Sequence, residues 1–217
     1  MLGHTMGYRE NNTVDSSLQR TEAIPKAMLK KVFYTQLLII ELSLCSIHSH
    51  AWSLFNTELV QVHKDIIQAY PAVDHINADA LTALLSAIST KKTVLLDVRE
   101  ADEYSVSHLP GAVRVSPDSD ETDLIRKLGE KIRDATVVFY CSVGQRSSAL
   151  ADKVQAALKN KGAAEVYNLE KGIFNWHNNQ RPLENKKGAT DFIHPYNFIW
   201  KALIKRDALV RYKVVLH

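Results

Sequence analysis

Cys141 and Arg146 are the residues of this chain whose types and spacing could do chemistry. The cysteine closes the apolar run Thr136-Val137-Val138-Phe139-Tyr140 and opens the loop Ser142-Val143-Gly144-Gln145-Arg146, after which Ser147 to Lys153 read as a helix. A thiol at the end of a buried strand, facing a loop that feeds a helix N-terminus, sits among converging backbone N–H groups whose partial positive charge favours an anion. The thiolate is the anion at hand, so the position makes Cys141 nucleophilic. The 142–147 backbone can curl around the sulfur as a nest, with Gly144 taking a positive φ where the curl demands it. Arg146 adds a permanent charge suited to an oxyanion. An inert core cysteine would be followed by more core, and here a glycine-and-arginine loop follows instead.

The elements that must position this loop follow from hydrophobic period. Asp74-His75-Ile76 is a short strand, and Asn77 then caps a helix with Leu81, Leu84, Leu85 and Ile88 on its apolar face. Residues 93–98 and 112–115 read as strands, and Leu124, Ile125, Leu128 and Ile132 mark one helix. Thr136 to Tyr140 is a further strand, Leu150, Val154 and Leu158 mark a helix ended by Gly162, and Glu165 to Leu169 is the last strand. Short β-branched strands alternating with amphipathic helices imply an α/β domain with a mostly parallel central sheet flanked by helices. In such sheets reactive groups lie at the carboxyl ends of strands, where Cys141 falls.

Bulk properties exclude several classes. The 217 residues suit one core domain with extensions, and 46% hydrophobic with 24% charged residues is a soluble globular composition. A net charge of +3, with no basic run interleaved with aromatics, argues against a nucleic-acid partner. Cys45 and Cys141 alone cannot build a disulfide framework or an all-cysteine metal site. His48 and His50 lack the acidic or thiol companions a metal needs, so neither metal nor cofactor is expected.

The first seventy or so residues carry other signals. Residues 1–27 are polar and aperiodic, and read as a disordered lead or an over-extended reading frame. Residues 28–51 combine a basic start (Lys30-Lys31), an apolar middle and the small-x-small ending Ser49-His50-Ala51, the three parts of a secretory signal peptide with Met28 as start. A cleaved signal implies a periplasmic or secreted protein; the alternatives are a cytoplasmic protein or an anchor at 32–47, although that run is short for a stable membrane span. Cleavage would remove Cys45 and leave Cys141 as a lone thiol in an oxidising space, with no second cysteine to trap it as a disulfide. Residues 52–72 read as a linker with a surface helix, stopped by Pro71.

Four motifs together resemble the rhodanese-like sulfurtransferases, in particular single-domain members. They are Leu96-Asp97-Val98-Arg99-Glu100 with Glu103-Tyr104; His108-Leu109-Pro110-Gly111-Ala112; Cys141 to Ser147; and Lys171-Gly172-Ile173-Phe174-Asn175-Trp176. The resemblance implies a three-layer domain at 73–184. It also implies that Cys141 accepts a sulfane sulfur as a persulfide and passes it to a thiophilic acceptor such as cyanide or a thiol. Ser142, Val143, Gly144, Gln145, Arg146 and Ser147 then bind the substrate. Asp97, Arg99, His108 and Trp176 support the site: Asp97 by accepting loop hydrogen bonds, Arg99 by pairing with Glu103 or Glu100, His108 by fixing a turn, Trp176 as a core anchor with one edge near the pocket. The aromatic-rich segment 185–217, with Ile193-His194-Pro195-Tyr196-Asn197 and Trp200, resembles an extension of some bacterial members; it offers a surface for a partner protein or a cover for the pocket.

Two departures refine the expectation. Cysteine phosphatases with this loop geometry have one residue more between Cys and Arg, which makes room for a tetrahedral phosphate; the four residues here make a tighter, sulfur-sized cradle. Many sulfurtransferases of the family carry a second basic residue after the cysteine, where this chain has Ser142. Losing that charge weakens thiosulfate binding by ~1–2 kcal/mol, which points to a protein or low-molecular-weight persulfide as donor. The competing reading is a non-catalytic binding or regulatory module, with a phosphatase behind it.

Overall fold

Residues 58–86 and 92–213 are described by the structure, a computed structural model. Helix α1 (Leu59–Ala69) precedes β1 (His75–Ile76) and α2 (Ala78–Leu85). Then come β2 (Thr93–Asp97), α3 (Ala101–Val106), β3 (Val113–Arg114), α4 (Glu121–Leu128) and β4 (Thr136–Tyr140). The chain continues through α5 (Gln145–Asn160), β5 (Glu165–Leu169), α6 (Gly172–Asn178), β6 (Leu183–Asn185) and β7 (Gly188–Thr190), and ends in two 3-10 turns, Trp200–Leu203 and Asp207–Leu209.

Five strands pair in parallel in the order β1-β5-β4-β2-β3. In the centre Leu96 lies opposite Phe139, and Phe139 opposite Asn168. Every residue of β4 is buried, as a central strand covered on both faces must be. Its side chains alternate between two apolar clusters. Val138 and Tyr140 pack with Ile66, Leu81, Ile173 and Phe174, whereas Val137 and Phe139 pack with Leu124, Leu150 and Val154. The sheet is thus the middle of three layers, with α1, α2 and α6 on one face and α4 and α5 on the other.

The order of strands places Cys141. From β2 the chain moves to β3 on one side, and from β4 to β5 on the other. The crevice beyond the carboxyl ends of β2 and β4 is therefore a topological switch point, where ligands bind in open α/β sheets. Asp97 ends β2 and Cys141 follows β4, one on each side of that crevice.

Several elements differ from the expectation. The strand expected at 112–115 narrows to Val113–Arg114, although the Val115 N–H still donates to Asp97 O at 2.9 Å. Gly129, at φ 51°, ends α4, and Gly129–Ile132 continues as a separate 3-10 turn. Helix α2 stops at Leu85, which is 39% exposed, and Ile88 lies outside the described residues. Helix α1 is, as expected, a surface helix with one apolar face: Val62 and Ile66 are buried with Val143, Leu169 and Ile173, and most of its other positions are exposed. The segment beyond 184 is built in. Its antiparallel hairpin bridges back to His108 through Glu184, Ile193 is fully buried, and Ile193 bridges to Val210. The signal-peptide reading, with Cys45, His48 and His50, falls outside the described residues. Among the described residues no helix is long and apolar enough to cross a membrane.

Candidate active site

Cys141 lies at the floor of a cavity of about 270 Å³ and is 1% exposed. Its Sγ accepts the backbone N–H of Gly144 at 3.2 Å. Gly144 takes φ 105° at the N-cap of α5, and a Cβ there would come 3.1 Å from Asn168 Nδ2. That crowding and the positive φ explain why glycine occupies the turn of the loop. The first N–H groups of α5 have no intrahelical acceptor, so the helix start faces the loop with free donors. From the other side α6 anchors the loop: the N–H of Ile173 donates to Cys141 O at 2.9 Å, and that of Phe174 to Ser142 O at 3.0 Å. Gly172 permits this approach, because a Cβ on it would stand 2.4 Å from Cys141 O.

Glu103, on α3, is the hub of the site. Its Oε1 accepts from Ser142 Oγ at 2.8 Å and from Arg146 Nη2 at 2.9 Å. Its Oε2 accepts from Arg146 Nη1 at 2.8 Å and from the N–H of Glu100 at 3.0 Å. Burial alone would raise its pKa, but the hydrogen bonds and charge of Arg146, aided by Arg99, hold the carboxyl below the usual glutamate range. Arg146 Nη2 also donates to Ser142 Oγ at 3.0 Å, and the guanidinium stacks over the Tyr196 ring, 4.4 Å from its centroid. Burial disfavours the Arg146 charge, and the bonds to Glu103 together with the nearby Cys141 more than compensate.

The other expected supports fall elsewhere. Arg99 does not pair with Glu103 or Glu100. Its Nε and Nη2 donate to Asp97 Oδ1 and Oδ2 at 2.9 and 2.6 Å, and Nη2 also reaches Ser107 O at 2.6 Å. Both side chains are completely buried, and Asp97 Oδ1 accepts the Arg99 N–H as well. The chain turns back at the end of β2, so the arginine meets the carboxylate two residues before it instead of one ahead. His108 stacks on Tyr104 at 3.8 Å, its Nδ1 lies 3.0 Å from Tyr104 O, and Leu109 N–H donates to Tyr140 Oη at 3.0 Å. This holds the 108–112 turn, away from the cavity. Trp176 is a core residue whose Nε1 donates to Pro182 O at 2.8 Å; the tryptophan lining the cavity is Trp200. Ser147 is fully buried with its Oγ unpartnered and does not line the cavity, whereas Ser142, Val143, Gln145 and Arg146 do.

Two contributions escaped the sequence reading. Glu103 was visible three residues after Glu100, the spacing of a capping pair, but its bond to Arg146 spans 43 positions. Tyr196 and Trp200 line the cavity from the C-terminal segment. Cover for the pocket was one of the roles open to that segment in the sequence, without a sign of which side chains would line it. Among the described residues no group of three or more His, Cys, Asp or Glu side chains gathers to hold a metal.

Known proteins resemble part of this chain. Residues 80–179 match the family model of the rhodanese-like domain. Those residues, a little under half of the chain, form a rhodanese-like domain. It is 29% identical over 142 residues to a tRNA uridine(34) hydroxylase of Protochlamydia amoebophila, covering 60% of this chain and 42% of that protein. It is 44% identical over 62 residues to a tRNA sulfurtransferase of Pyrobaculum aerophilum, covering 29% of this chain and 12% of that one. The chain thus spans less than half the length of these curated relatives. Among solved structures, a thiosulfate sulfurtransferase from Pseudomonas aeruginosa superposes with a TM-score of 0.43 and 25% identity, over 55% of this chain and 21% of that one.

Proposed function

We propose that this protein is a sulfurtransferase that carries sulfane sulfur on Cys141 as a persulfide, taking it from thiosulfate or a persulfide donor and passing it to cyanide or a thiol. The observation that carries the reading is the Cys141 sulfur, at the floor of an open cavity, already accepting one N–H at 3.2 Å beside the unpaired start of α5. A persulfide extends the cysteine by one sulfur and keeps its negative charge, so the same donors serve both states.

Organic persulfides suit the site better than thiosulfate as donors. Ser142 supplies no charge, and it spends its hydroxyl on Glu103. The one basic side chain of the cavity lining, Arg146, is matched by Glu103. The same pairing disfavours a phosphatase, whose dianionic substrate would have to compete for that guanidinium. A purely binding role leaves the nucleophile at the cavity floor without a use.

Steady-state transfer of sulfur to cyanide, read as thiocyanate, tests the proposal. Wild-type protein turns over with a sulfane donor and Cys141→Ala does not. Equal rates for the two would overturn it.

A further inference from the structure

Two properties of the cavity above Cys141, its size and its matched charge, bear on which donor it takes. Its volume of about 270 Å³ is that of some nine water molecules at about 30 Å³ each, far more than one sulfur atom occupies. Its cation is spent: both terminal nitrogens of Arg146 bond the ionised Glu103, so the cavity meets a dipole where a free charge would otherwise stand. A second negative charge on a ligand would leave water without a partner.

What the cavity offers instead is apolar and flat. Val143 and Trp200 line it, with the ring of Tyr196 beside Arg146. Tyr196 is held there against its backbone preference, at φ 65°. Its N–H donates to His194 Nδ1 at 3.0 Å, and the N–H of Trp200 donates to Asn197 Oδ1 at 3.0 Å. Non-glycine residues in this conformation persist where the surroundings over-determine them, commonly at ligand clamps. Tyr196 as a whole remains 43% exposed, so the residue is open to a ligand.

Resting on the sulfur-transfer reading above, we propose that Tyr196 and Trp200 are specificity-determining residues: they make the site take a singly charged sulfane-sulfur donor carried on a flat apolar body, in preference to thiosulfate. In the loading step the Cys141 thiolate attacks the terminal sulfur of a thiosulfonate, R–SO2–S⁻. The Sγ–S bond forms, the S–SO2 bond breaks and its electron pair leaves with the sulfinate, R–SO2⁻. Two negative charges enter and two remain, one on the persulfide and one on the sulfinate, with no outside oxidant or reductant.

Three donors separate charge from shape: benzenethiosulfonate (one charge, flat body), methanethiosulfonate (one charge, no body) and thiosulfate (two charges). With cyanide as acceptor, Tyr196→Ala and Trp200→Ala are expected to lower kcat/KM for benzenethiosulfonate roughly tenfold. They should leave methanethiosulfonate within about twofold, and Tyr196→Phe and Trp200→Phe should retain most of the benzenethiosulfonate rate. Glu103→Gln, which keeps the shape and frees the Arg146 charge, should raise thiosulfate turnover relative to both thiosulfonates. Equal losses for all three donors in the alanine variants, or a wild-type preference for thiosulfate, would overturn the specificity role while leaving sulfur transfer intact. Intact mass reports the two levels separately: if no donor adds a sulfur to wild-type Cys141, the sulfur-transfer reading falls and this inference with it.

Discussion

Glu103 holds Arg146 by two hydrogen bonds, 2.8 and 2.9 Å long, and is itself only 2% exposed. With Ser142 Oγ and the Glu100 N–H, four donors fill the acceptor positions of one carboxylate. The pair ties the segment after β2 to the loop after β4, so it fixes the two sides of the switch-point crevice relative to each other. Arg146 is therefore a part of the loop's frame.

Removing one partner should cost more than removing the charge alone. Glu103→Ala leaves Arg146 and Ser142 without their acceptor and is expected to destabilise the fold by about 3 kcal/mol. Glu103→Gln keeps two acceptor lone pairs and should cost roughly half as much. Urea denaturation of the two variants gives the comparison, and equal midpoints for both would contradict the hub role.

Asp97 and Arg99 form a completely buried pair. Burial opposes the Arg99 charge, and the charge and hydrogen bonds of Asp97 outweigh it. Asp97→Asn would strand that charge in the core and should lose about 3–5 kcal/mol. Since neither residue lines the cavity, the folded fraction should keep its specific sulfur-transfer rate to within about threefold. Activity titrated per folded molecule at low temperature checks both halves.

Gly172→Ala should strike activity harder than stability. Its φ is 56°, and a methyl group would stand 2.4 Å from Cys141 O and 2.6 Å from Ser142 O. Either α6 or the cysteine loop must shift, at a cost of about 2 kcal/mol. A loop moved by a fraction of an ångström should lose at least about tenfold in kcat/KM. Wild-type kinetics in this variant would show that the α6 contact does not position the sulfur.

Acid should weaken the fold in two stages. Burial lowers the pKa of His63, His75, His177 and His194 below the ordinary 6.5. A group with a depressed folded pKa stabilises above its unfolded value, and that stabilisation is lost as pH falls through the folded one. The histidine contribution is thus fully present above 6.5 and declines below it. The Glu103 contribution follows the same sign and declines only below about 4.5. Melting temperature against pH should begin to fall below about pH 6.5 and fall further below about 4.5. A profile that stays flat from about pH 6.5 to 4.5 would contradict the buried-neutral histidines.

The parts of this site legible in the sequence are those whose signals are local. The buried run of β4, the glycine in the cysteine loop and the Asn77 cap, whose Oδ1 accepts the Ala80 N–H at 2.8 Å, each act within a few residues. Helix α3 gave no periodic signal because it is six residues long, with only Glu103 and Val106 buried. Its carboxylate meets Arg146 only once the sheet has brought β2 beside β4. Tyr196 and Trp200 reach the cavity for a similar reason: the chain after β7 folds back through Ile193 onto the core, a long-range event with no short-range mark.

The most direct test of the account is the mass of the protein after exposure to a sulfane donor. Wild-type protein incubated with thiosulfonate or thiosulfate, then desalted, should gain the mass of one sulfur atom. That gain should map to Cys141, disappear on addition of cyanide with release of thiocyanate, and be absent in Cys141→Ala. A wild-type protein that takes up no sulfur, or a Cys141→Ala variant that takes up as much, would contradict the central claim that Cys141 is a persulfide carrier.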